Sequence, residues 1–167
     1  MKNWSTGNPS EFAIDVSDIE TDTGYFNATV TFWISGVRFQ VGESLASLRS
    51  LLSNVVDKRE ARRQDPPRNW SPEQIAQHFG ELRGRERSDE EDEHLFNHWV
   101  LPLFDSARDR AGFMIRTDAG ERLVLAERGT ARVVASADLR PGKFDEVVSS
   151  FVRWIDELVE VQRSKAE

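Results

Sequence analysis

Hydrophobic residues recur at every second position in the N-terminal part of the chain. Phe12, Ile14 and Val16 alternate with Ala13, Asp15 and Ser17. Phe26, Ala28, Val30, Phe32 and Ile34 follow, and Val37, Phe39 and Val41 resume after Ser35-Gly36. Period two predicts strands with one buried face, and the short Ser-Gly step predicts a hairpin. Trp33 faces away from Phe32 and Ile34, either beneath a helix or in solvent.

The period then changes. Leu45, Leu48, Leu52 and Val55 lie three or four apart behind Ser44, a suitable N-cap, and predict a helix. It runs into "DKREARRQ", where Lys58, Arg59, Arg62 and Arg63 suit the partial negative charge of a helix C-terminus. "DPPRNW" breaks the pattern. Ser71-Pro72 with Gln74, and Ser88 with Glu91, each have capping-box spacing and start two more helices. The first buries Ile75, Phe79 and Leu82 and ends at Gly84. The second is expected to bury Leu95, Phe96, Trp99, Val100 and Leu103 and to stop or kink at Pro102.

"GFMIRTD", "ERLVLAE" and "ARVVASADL", joined by Ala119-Gly120 and Gly129-Thr130, predict an antiparallel meander. Phe144, Val147, Val148, Phe151, Trp154, Ile155, Leu158 and Val161 then trace one wide helical stripe. The order β-β-β-α-α-α-β-β-β-α indicates an α+β fold. Its simplest closure is one antiparallel sheet with helices packed mainly on one face, the last helix lying lengthwise. No repeat or internal boundary divides residues 1–167, so a single domain is expected.

Composition narrows the chemistry. The chain is 38% hydrophobic, and ten Phe and five Trp supply much of its core volume. The absence of Cys excludes disulfides, thiolate zinc sites and thiol nucleophiles. The start of the chain lacks the apolar run of a signal peptide, and no stretch nears the roughly 20 apolar residues that cross a bilayer. A cytoplasmic protein with no membrane contact is the expectation. A net charge of -7 disfavours direct nucleic-acid binding and favours a basic partner.

Few residues suggest a reaction. His94 and His98 are spaced i, i+4 and share a helix face, as two metal ligands do, but the Glu of the zinc-protease motif is missing between them. Glu91 and Asp105 are no more than guesses at further ligands. His78 lies on another helix and reads as a surface residue. No phosphate loop and no nucleophile elbow occur. No catalytic residue, metal or cofactor is therefore expected.

Charge layout is more telling. From Asn3 to Val37 there is no Lys or Arg, while Glu11, Asp15, Asp18, Glu20 and Asp22 fall there. "DEEDE" at 89–93 is a second acidic cluster, and basic residues concentrate at 58–68 and 83–87. Part of this has a purely structural explanation: acids stabilise the first turn of a helix, and charges blunt the end of an exposed strand. The remainder would steer a basic partner.

The stretch "GNPSEFAID", Gly7 to Asp15, resembles the start of a family of bacterial immunity proteins. These accompany polymorphic toxins, including those of contact-dependent growth inhibition. The family pattern is a Gly-Asp-Pro-Ser turn before Phe-Ala-Ile, then an Ile-x-Gly turn, then a helix near a Ser-Leu pair. Here stand Gly7, Pro9, Ser10, Phe12, Ala13 and Ile14, then Ile34-Ser35-Gly36, then Ser44-Leu45. Asn8 replaces the expected Asp, and either residue makes an Asx turn. The motifs cover the first third of the chain; beyond residue 60 only element order carries the likeness.

The resemblance implies a protein that binds the C-terminal domain of a cognate toxin in the cytosol and neutralises it without turnover. Toxin domains of this kind are often nucleases with basic clefts. Asp89, Glu90, Asp92 and Glu93, then Asp18, Glu20 and Asp22, are the candidate contacts. Trp70 is a candidate aromatic anchor, as is Trp99, which also belongs to the apolar side of its helix. Two other classes stay open: an adaptor or secretion-chaperone-like binding module, and a small metal-dependent enzyme. Oligomeric state is not indicated.

Overall fold

Eight strands and five helices occupy the described residues, 3–22, 25–101 and 109–166, of a computed structural model. β1 (Trp4–Asn8), β2 (Phe12–Asp22), β3 (Tyr25–Ile34) and β4 (Val37–Ser44) form one antiparallel sheet in that spatial order. α1 (Leu45–Asp57), α2 (Arg59–Gln64), α3 (Pro72–Arg83) and α4 (Asp89–His98) follow. β5 (Trp99–Leu101), β6 (Arg110–Arg116), β7 (Glu121–Glu127) and β8 (Val133–Leu139) form a second antiparallel sheet, and α5 (Lys143–Ala166) ends the described chain. The α+β class and the order of the main elements are as the sequence predicts. The single sheet with helices mainly on one face is corrected: there are two sheets, and the helices form two separate layers.

The main core lies between them. Phe12, Ile14, Val16, Val30, Phe32 and Ile34 from the first sheet meet Leu48 and Leu52 of α1 and Phe144, Val148 and Phe151 of α5. Met114, Leu123, Leu125 and Leu139 of the second sheet close the same core. The opposite face of the second sheet carries Phe113, Ile115 and Val124 into another cluster, with Ile75 and Phe79 of α3 and Leu95 of α4. The second sheet is therefore covered on both faces. That is why "AGFMI" and "LVLA" read as continuous apolar runs instead of alternating.

The first sheet has one open face. Asp15, Ser17, Thr29, Thr31, Trp33, Arg38 and Gln40 stand on it, out of register with the core residues. Among the described residues no helix covers Trp33; it is half-buried, and its Nε1–H donates to Asp15 Oδ2 at 2.7 Å. Gln40 donates to Thr31 Oγ1 at 3.0 Å beside it.

The two turns singled out in the sequence meet in space. Asn8 Oδ1 accepts from Ser10 N at 3.0 Å and from Ser10 Oγ at 2.9 Å, the expected Asx turn. Ser35 N donates to Glu11 O at 2.9 Å and Gly36 N to Pro9 O at 2.8 Å, so the loop before β2 is bonded to the β3–β4 turn. Ser35 and Gly36 both have positive φ, 48° and 79°, as a tight two-residue hairpin requires.

The helical stretch after Ser88 is shorter than the sequence predicts. α4 stops at His98 because Trp99 adopts extended φ/ψ, and Trp99 and Leu101 pair with Phe113 and Gly112. Gly112 permits this approach: a Cβ there would lie 2.8 Å from Leu101 Cβ. Phe96, expected in the core, is 42% exposed and stacks on Trp99. Val161, at the end of the α5 stripe, is exposed as well. Pro102, Leu103 and Asp105 lie outside the described residues. β1 was not legible as a strand, because Trp4 is the one large apolar residue in it.

Candidate functional site

The acidic residues fall on two separate surfaces. Asp18 lies within an irregularity in the β2–β3 pairing between Ser17 and Glu20, and has a φ of 51°. With Asn27, Thr29, Gly42 and Ser44, Asp18 and Glu20 line an open groove of about 550 Å³. Asp22 closes β2, opposite Tyr25. Asp89, Glu90, Asp92 and Glu93 belong instead to α4, which packs on the second sheet.

The head of α4 has the geometry that its sequence predicts. Ser88 Oγ accepts from Glu91 N at 3.2 Å, and Glu91 Oε2 accepts from Ser88 N at 3.1 Å, a complete capping box. Ser71 and Gln74 repeat it on α3, with Pro72 at the first position. Ser44 occupies the N-cap position of α1 but makes no side-chain cap bond.

The acids of α4 are partly neutralised by the basic segment just before them. Arg85 is forked onto Glu91 at 2.6 and 3.0 Å, and Arg87 Nε donates to Asp92 Oδ1 at 2.5 Å. The Arg85 hydrogen bond, with the backbone bond from Ser88, lowers the Glu91 pKa to about 2. Asp89, Glu90 and Glu93 remain exposed, and none forms an ion pair among the described residues. The blocks of opposite charge seen in the sequence thus fold back on one another here. Three carboxylates, not five, are left without an ion-pair partner among the described residues.

Trp70 joins a different group. It is half-buried at the edge of the second core, its ring 4.8 Å from His78, with the Arg68 guanidinium 5.0 Å over its face. Its carbonyl accepts from Arg122 Nη1 at 2.7 Å. Trp99 is also half-buried, with Arg83 4.4 Å and Arg128 5.7 Å over its ring.

The third histidine belongs with the other two. His78 is not a free surface residue: it sits between Trp70, Phe79 and His94, with its Nε2 3.2 Å from His94 Nε2. His98, 2% exposed, places Nδ1 2.7 Å from the Met114 carbonyl and Nε2 in contact with Asp65 Oδ2. His94 Nδ1 is 3.9 Å from the same Asp65 oxygen. Burial, followed by the neighbouring His98 and His78, lowers the His94 pKa to about 4; burial also lowers that of His78. At neutral pH these two rings are uncharged and one ring proton lies between them.

Among the described residues, Asp65, His94 and His98 are a group able to hold a metal ion, their ligand atoms lying within 4.8 Å of one another. Of the ligands that the local sequence suggested, Glu91 is committed to Arg85 and Asp105 is outside the described residues. Asp65 and His78 were not legible as partners of the histidine pair. They reach it from the α2–α3 connection and from α3, and only packing on the second sheet brings these segments together. The i, i+4 spacing of His94 and His98 was the single available signal.

Arg62 is the other surprise. Expected as an exposed cation at a helix end, it is 4% exposed. Its Nη1 donates to Val55 O at 2.9 Å and Asn97 O at 3.2 Å, and Nη2 lies 3.3 Å from Asp145 Oδ1. Burial lowers the Arg62 pKa and raises that of Asp145, so the desolvation of this pair outweighs its mutual attraction on both sides.

The solved structure of CdiI from Burkholderia dolosa AUO158 has the same fold, with a TM-score of 0.68 at 21% identity over 90% of this chain and 99% of that one. No curated protein sequence matches the chain. Among the described residues, no helix is long and apolar enough to cross a membrane. The family model of Immunity protein 42 matches residues 1–154, which take in both sheets, all three histidines and the first half of α5, and on that extent of agreement the chain belongs to the Immunity protein 42 (Imm42) family.

Proposed function

We propose that this protein binds the C-terminal domain of a cognate toxin in the cytoplasm and neutralises it stoichiometrically, with no turnover of its own. Membership of an immunity family over residues 1–154 carries this reading. The fold shared with a CdiI protein supports contact-dependent growth inhibition as the setting.

The partner surface is acidic and the toxin domain basic, as a nuclease is. Asp89, Glu90 and Glu93 at the head of α4 are the principal contacts, because their charge is not spent on a neighbouring cation. Asp92 acts with its Arg87 partner at the rim. Asp18, Glu20 and Asp22, with the groove beside them, form a second acidic surface, and Trp70 a half-buried aromatic edge. Close charge pairs in such complexes couple by about 1.5–7 kcal/mol, while rim pairs mainly change the association rate.

Co-expression with the toxin domain encoded beside this gene tests the proposal. Growth should be rescued and a stable complex recovered. The triple substitution Asp89→Lys, Glu90→Lys, Glu93→Lys should weaken the complex and steepen no further its loss with salt, whereas the unaltered complex weakens as salt rises. Failure to bind that toxin domain sinks the functional reading. Undiminished binding by the triple variant sinks only the assignment of α4 as the contact surface.

A further inference from the structure

We propose that Asp65, His94 and His98 form a divalent transition-metal site that pins the α2–α3 connection to α4.

His98 Nδ1 is 2.7 Å from the Met114 carbonyl, which can only accept, so Nδ1 carries the hydrogen. A neutral His98 then presents the lone pair of Nε2 to Asp65 Oδ2, an acceptor in direct contact. Two lone pairs face each other there, and a positive species must lie between them. At that contact the species is a proton, and a metal ion takes its place when the Asp65 carboxylate draws back to the roughly 3.4 Å edge between two ligands of one ion.

His94 completes the donor set. Its Nε2 is 3.2 Å from His78 Nε2, and when it donates there its Nδ1 holds a lone pair directed at Asp65. The Nδ1 to Oδ2 separation of 3.9 Å is too long for a hydrogen bond. It is near the roughly 3.4 Å edge between two ligands each about 2.1 Å from one tetrahedral ion. Both histidines thus have the outer hydrogen bond that fixes the ring of a metal ligand: His98 to a main-chain carbonyl, His94 to His78.

The space and the surroundings agree. A small, partly open cavity of about 10 Å³ adjoins Asp65, His94 and His98, walled by Trp70, Phe79 and Ile115, with room for about one water as a fourth ligand. Arg68 and Arg116 also reach this void. Arg68 lies over Trp70, and Arg116 Nη1 donates to the Arg63 carbonyl. These two cations oppose an ion held by charge alone, such as magnesium or calcium. Imidazole donors instead select zinc, cobalt, nickel or copper.

The site makes no demand on the toxin and stands apart from the functional proposal. Zinc and cobalt(II) are the probes. Chelator-treated protein should bind one Zn²⁺ per chain saturably by calorimetry, with a rise in Tm. Cobalt(II) should give the visible absorption of a four-coordinate nitrogen and oxygen site. Asp65→Asn and His94→Gln, both at partly exposed positions, should abolish the saturable binding and the absorption. His78→Gln should weaken zinc roughly 10- to 100-fold while leaving the stoichiometry. Absence of saturable binding to the unaltered protein overturns the proposal. So does binding that survives either Asp65→Asn or His94→Gln.

Discussion

At the scale of single residues, backbone geometry explains why the opening turn has its composition. Gly7 has a φ of +87°, and a Cβ there would collide with the Phe12 carbonyl and lie 2.9 Å from Ala13 Cα. Both the conformation and the space demand glycine. Gly7→Ala should cost about 1–3 kcal/mol, read as a lower midpoint in urea with an unchanged slope. An unaltered midpoint would show that the turn relaxes freely. Asn8 is a milder case. Its Oδ1 accepts from Ser10 as an Asp carboxylate would, so the family's Asp and this chain's Asn serve the same turn.

At the scale of elements, α4 joins several functions in ten residues. Its first turn holds a capping box and an ion pair to Arg85, its exposed edge carries the acids proposed to meet a partner, and its second half supplies two histidines. Glu91 binds a proton less readily folded, near pH 2, than its ordinary value of 4.5 allows unfolded. Its stabilising effect is therefore present above about pH 4.5 and is lost as the pH falls through about 2. Glu91→Gln keeps the cap and removes the charge. The variant should melt below the unaltered protein at neutral pH, and the two melting curves should converge towards pH 2. A gap that persists in strong acid would place the effect in the cap, not in the ion pair.

At the scale of the whole molecule, Arg62 connects what the sheets alone do not. It bonds the end of α1 and the end of α4, and pairs with Asp145 near the start of α5. Their side chains are only 5% and 9% exposed, so removing one partner strands the other in the interior. Arg62→Met should destabilise by about 3–5 kcal/mol, and adding Asp145→Leu should recover much of that loss. Equilibrium unfolding of the two single variants and the double variant measures the coupling. Additive losses would mean that Arg62 acts through the Val55 and Asn97 carbonyls alone.

The local signals in this chain, namely strand alternation, the capping boxes at Ser71 and Ser88, the Asx turn at Asn8 and the α5 stripe, were sufficient for the α+β class and the principal elements. Each depends on residues within one helix, one turn or one hairpin, where sequence distance and spatial distance agree. The acidic head of α4 was legible for the same reason, although its pairing with Arg85 and Arg87 was not. Tertiary structure decided the rest. It divided one expected sheet into two, drew Trp99 out of a helix to pair with Phe113, and buried Arg62. It also brought Asp65 and His78 to the histidines of α4. These arrangements depend on segments far apart in the chain competing for the same buried surface, and nothing in the local periodicity of either segment records which of them meet.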